Sequence, residues 1–149
     1  MTEALLISAA RAQHVEKVIR PALKAGKWVL CDRYADSTRV YQGIIGGVPT
    51  AELETIIAIS TGNLDPDITF LLDCDVALAA SRRQERGANH EDAIKRYDDK
   101  KMEFHEGLRR AYLSLAKGFS NRIHVIDGAQ KPDDVASAAI KVLEARFSL

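Results

Sequence analysis

The chain has no excess charge, no run apolar enough to cross a bilayer and no cysteine pattern, and each absence removes a class of function. Its 21 basic residues balance 21 acidic ones, so no global field draws it to nucleic acid or to a membrane surface, and anion binding falls to local clusters. Neither a signal-peptide pattern nor an apolar run of the ~18 residues that a membrane span needs is present, and a cytoplasmic protein without membrane contact is expected. Its two cysteines, Cys31 and Cys74, sit inside apolar runs without Cys-x-x-Cys spacing. That suits buried thiols in a reducing compartment better than a disulfide or a metal site. Internal repeats, linkers and low-complexity runs are missing as well. A single domain over 1–149 is expected, within the ~50 to 200 residues of ordinary domains.

What is present is an alternation of helical and strand-like segments. Thr2 to Ala25 reads as a helix with an apolar stripe of Leu5, Ala9, Ala12, Val15 or Glu16, Ile19 and Leu23, kinked at Pro21 and ended by Gly26. Ile7, Arg11 and His14 stack on a different face at i, i+4 and i+7; on spacing alone Arg11 is a solvated helix charge. Gly43 to Pro49 reads as a loop, and Thr50 as the cap of a helix with Leu53, Ile56, Ile57 and Ile59 apolar and Gly62-Asn63 at its end. Three buried strands are predicted, at Trp28–Cys31, Ile68–Leu72 and Ile123–Ile126. Helices are predicted from Val76 to Arg86 and from Pro132 to Phe147, the last with Val135, Ala139, Val142 and Leu143 inward.

Strands separated by helices imply parallel βαβ units, hence an α/β fold with a three-layer parallel sheet and flanking helices. Asp32, Asp73 with Asp75, and Asp127 all fall at carboxyl ends of the predicted strands, the edge on which open α/β sheets bind ligands. Aspartate is common at turns and caps, and that suffices for Asp73 and Asp75. Asp32 differs because Arg33 is beside it and Thr38, Tyr41 and Gln42 follow. Farther on, Arg82, Arg83 and Arg86 precede Gly87-Ala88-Asn89, and Lys95 and Arg96 follow it. This region is either a solvated helical hairpin of mixed charge or a lid whose arginines stabilise transferring phosphates.

Asp32-Arg33-Tyr34, Ser37-Thr38 and Tyr41-Gln42-Gly43, with Arg11-Ala-Gln-His14 before them and Phe104-His-Glu106 after, resemble bacterial thymidylate kinase. The resemblance implies a P-loop nucleoside monophosphate kinase-like fold, ATP-dependent phosphorylation of dTMP with Mg²⁺, and commonly a homodimer. It implies that Arg11 and Arg33 grip the acceptor phosphate, that Thr38, Tyr41 and Gln42 orient base and sugar, and that Asp32 helps arrange metal and phosphate loop. Arg96, with Arg82 and Arg86 behind it, would act from the lid. The family's base-stacking aromatic, four residues before Arg11, is replaced here by Ile7. No Gly-x-x-x-x-Gly-Lys-Ser/Thr run occurs, and Gly26-Lys27 is followed by Trp28. The match covers only the later part of a thymidylate kinase and lacks the first strands. An inactive fragment starting at an internal methionine is therefore expected.

Two alternatives stay open: a non-catalytic nucleotide-binding or interaction remnant of the same fold, and a related deoxynucleoside kinase. A nucleic-acid-binding role lacks a basic, aromatic-interleaved patch.

Overall fold

Pro21 shapes the long first helical segment in the computed structural model, which describes residues 1–86 and 102–147. Helix α1 (Thr2–His14) passes through a π-helical turn (Val15–Ile19) into α2 (Arg20–Lys24). Proline has no N–H to give to the carbonyl four residues back, and its ring crowds that carbonyl. The widened turn, in which the Arg20 N–H reaches the Val15 carbonyl, absorbs this defect where the sequence pattern predicts a simple kink. Gly26, at φ +70°, ends the segment. Its N–H bonds the Leu23 carbonyl at 3.0 Å while the Lys27 N–H returns to Ala22 at 3.1 Å, the paired bonds of a Schellman ending.

The described residues divide into two compact units, Met1–Pro66 and Asp67–Leu149. In the first, the buried stripe of the opening helix is Ala4, Ser8, Arg11, Val15 and Ile19. This moves the first half of the expected stripe by one residue, with Ala4, Ser8 and Arg11 buried and Leu5 50% exposed, while Val15 and Ile19 are buried as expected and Leu23 is 42% exposed. A short α3 (Ala35–Thr38) runs into a second π-helical turn (Arg39–Ile45), and α4 (Thr50–Thr61) follows. The expected loop is thus shorter, with helical backbone through Ile45. Pro49 rather than Thr50 holds the N-cap position, with no side-chain cap bond.

Ala4, Ala35, Leu53 and Ile57 form the core of this unit, with Tyr34 and Val48 packed against it. Each large aliphatic side chain so buried contributes roughly 1.5–3 kcal/mol. Gly43 lets the π turn approach α4, because a Cβ there would lie 2.8 Å from Leu53 Cδ2. Of the apolar residues of α4, Leu53 and Ile57 are buried and Ile59 is 76% exposed.

The predicted strand Trp28–Cys31 is overturned. The segment has no regular structure, Leu30 is 97% exposed and Trp28 65%. A β-prone run becomes a strand only when a neighbour completes its ladder, and none pairs with it among the described residues.

The second unit contains a two-stranded parallel sheet of β1 (Thr69–Asp73) and β2 (Ile123–Asp127), paired in register from Thr69 with Ile123 to Asp73 with Asp127. Parallel strands need a crossover, and α5 (Val76–Arg86) and α6 (Met102–Gly118) lie in the connection. Each strand includes the aspartate that was expected to follow it. Helix α7 (Pro132–Phe147) closes the unit; Val135, Ala139, Val142 and Leu143, expected inward, are half-buried and none of its residues is fully buried. Among the described residues no helix is long and apolar enough to cross a membrane.

Candidate functional site

Arg11 is the centre of the site in the first unit. It is not a solvated helix charge: it lies in the buried stripe at 8% exposure. Its Nη2 donates to Thr38 Oγ1 and, at 3.4 Å, to the Tyr34 carbonyl, and the guanidinium carbon lies 5.6 Å from the Tyr34 ring centroid. Nη1 is buried with no hydrogen-bond partner, and Arg11 makes no ion pair among the described residues. Burial is the largest cause of a lowered Arg11 pKa; the charge of Arg39 acts the same way, while Tyr34 and Asp36 oppose it. An un-neutralised buried guanidinium is costly, and an anion is the partner that would relieve it. Ser8, one turn earlier, also has a buried hydroxyl without a partner.

Tyr34 ties this arrangement to the chain around it. Its hydroxyl donates to the Leu64 carbonyl at 3.1 Å. Next to it, Arg33 adopts the left-handed conformation at φ +61°, uncommon for a side chain with a Cβ and frequent at functional sites. Its guanidinium carbon sits 5.5 Å from the Tyr41 ring centroid, a cation–π arrangement. Thr38 is 1% exposed and Gln42 6%; Asp32 is exposed in the bend before Arg33. The first unit therefore carries Arg11, Asp32, Arg33, Thr38, Tyr41 and Gln42, and direct contacts link Arg11 with Thr38 and Arg33 with Tyr41. Ile7 is 38% exposed and His14 is exposed. The sequence pattern had set Arg11 on a face apart from the apolar stripe, and it instead belongs to the buried stripe.

The remaining candidates come after Pro66 in the chain. Arg82 on α5 donates through Nη1 to the Gly128 carbonyl at 2.6 Å and through Nη2 to Ala129 at 2.8 Å, clasping the turn after β2. Arg86 is the last residue of α5. Lys95 and Arg96, like Gly87-Ala88-Asn89, lie outside the described residues. Sequence reasoning missed Arg109, which donates to both carboxylate oxygens of Asp73 at 2.7 and 2.9 Å. No local spacing signals a pair separated by 36 positions. Among the described residues no cluster of three His, Cys, Asp or Glu side chains could hold a metal ion.

Parallel strands joined through helices are the framework of the α/β nucleoside monophosphate kinases. The thymidylate kinase family model matches residues 1–139. A thymidylate kinase of Desulfovibrio desulfuricans is 43% identical over 145 residues, covering 96% of this chain and 67% of the relative. That of Bradyrhizobium diazoefficiens is 42% identical over 146 residues, covering 97% and 63%. That of Geobacter sulfurreducens is 44% identical over 146, covering 95% and 67%. The chain belongs to the thymidylate kinase family, and it spans about two thirds of the length of these curated relatives.

Proposed function

We propose that this chain carries the acceptor half of a dTMP kinase, the site that holds dTMP while ATP supplies a phosphoryl group to give dTDP. The observation that carries this reading is Arg11, a buried guanidinium held by Thr38 and Tyr34 but matched by no carboxylate among the described residues. Arg11 and Arg33 bind the acceptor phosphate, since planar guanidinium groups match phosphate oxygens in pairs. Tyr41 and Gln42, with Thr38, orient base and sugar, and Asp32 stands beside the reacting phosphate. A role for Arg86 and Arg96 over the transferring group rests on family order; Arg82 holds the turn at Gly128 and Ala129.

The family's cofactors are ATP and Mg²⁺, and the residues present do not fit them as they fit the acceptor. Donor phosphates in this class are cradled by the backbone N–H groups of Gly-x-x-x-x-Gly-Lys-Ser/Thr, and the 149 residues contain no such run. By itself the chain is thus a dTMP-binding protein without turnover. A cytoplasmic homodimer follows the family pattern.

Calorimetry with dTMP, alongside ADP formation from Mg·ATP, tests this. Binding that weakens at least ~10-fold in Arg33→Ala, the loss of a charge-assisted phosphate contact, with no ADP formed, is the expected result. Failure of the folded chain to bind dTMP overturns the acceptor assignment, and dTMP-dependent turnover overturns the absence of a donor site.

A further inference from the structure

We propose that Arg39 is a positioning residue that withholds Asp36 from Arg11, so that Arg11 meets an incoming phosphate as an unpaired cation. This rests on Arg11 being the phosphate site. Two guanidinium groups and two carboxylates lie in this part of the first unit, and the charges are divided unequally. Arg39 donates through Nε and Nη2 to the two oxygens of Glu54, both at 2.8 Å, and through Nη1 to Asp36 Oδ1 at 3.0 Å. The Arg39 and Asp36 side chains are each 11% exposed, and Glu54 is 43% exposed. Arg11 is left with neutral oxygens only.

Asp36 is well placed to pair with the wrong arginine. It lies on the turn between Tyr34 and Thr38, the two residues whose oxygens Arg11 touches, and its charge acts on Arg11. A buried carboxylate that loses a charged hydrogen-bond partner is destabilised and favours another cation within reach. An Arg11–Asp36 pair would then have to break before phosphate could bind. Burial alone would lower the Arg39 pKa, but the hydrogen bond and charge of Glu54, helped by Asp36, raise it, so Arg39 remains charged and keeps both acids occupied.

The test is a charge-rescue cycle read by calorimetry, with dTMP and, separately, inorganic phosphate as probes. Arg39→Met should weaken binding by ~10-fold or more, as expected for a competing charge-assisted pair. Adding Asp36→Asn to Arg39→Met should restore most of that loss, because the competing carboxylate is gone, although the three bonds of Arg39 remain missing. Arg39→Lys, which keeps the charge but cannot span both acids, should show a smaller loss that Asp36→Asn also relieves; it serves if Arg39→Met does not fold. A purely structural Arg39 predicts a double variant at least as weak as the single one, and that result overturns the proposal. Binding of phosphate but not dTMP by the wild-type chain removes the nucleotide assignment while the same cycle, run with phosphate, still decides the role of Arg39. Binding of neither overturns both.

Discussion

Arg109 holds Asp73 by two hydrogen bonds, Nε to Oδ1 at 2.7 Å and Nη2 to Oδ2 at 2.9 Å, fastening α6 to the carboxyl end of β1. The hydrogen bond from Arg109 is the largest cause of the lowered Asp73 pKa, and burial opposes it. A folded-state value below the unfolded one, about 3.9 for aspartate, stabilises the fold at pH above the unfolded value and is lost as pH falls through the folded value. Asp73→Asn should therefore lower Tm at pH 7, and the two Tm curves should converge below about pH 4. A gap that stays constant from pH 7 to pH 3 would show that the charge of Asp73 is irrelevant.

Arg20 closes the far end of α4, donating to the carbonyls of Thr61 at 3.2 Å and Gly62 at 2.9 Å. These are carbonyls that a helix end leaves without partners. Arg20→Ala should cost about 1 kcal/mol, measured by urea unfolding, and accelerate amide exchange in the last turn of α4.

Gly43 faces the buried Leu53 side chain, which is 2% exposed. A Cβ placed 2.8 Å from Leu53 Cδ2 must displace a packed residue, so Gly43→Ala should destabilise by about 1–3 kcal/mol, the usual cost of overpacking. Relief by Leu53→Val in the double variant would locate the strain at that contact.

Much of the second unit was legible in the sequence because its signals are local. Val76–Arg86 and Pro132–Phe147 appear with the expected bounds, and both expected strands pair in parallel. Gly26 and Gly62 end helices as positive-φ residues. What failed depended on partners. Trp28–Cys31 has strand composition but no ladder, and Leu5 was assigned inward where Ala4 is buried, since apolar spacing allows either neighbour until a second helix packs.

The site was legible by residue type and order, not by arrangement. Arg11 reads as a surface charge by periodicity, and only the fold turns it toward Thr38. The pairs Arg39–Glu54 and Arg109–Asp73 join residues 15 and 36 positions apart, beyond the reach of helical or strand spacing. Arg96 lies outside the described residues.

Binding of dTMP to the wild-type chain and to Arg11→Met, with Tm followed on both, tests the central claim most directly. Methionine fills similar apolar volume without charge. Affinity should fall ~10- to 100-fold, the worth of a charged phosphate contact, while Tm holds or rises because an unmatched buried charge has gone. Unchanged affinity together with a lower Tm would show that Arg11 is a structural residue and contradict its role as the phosphate anchor.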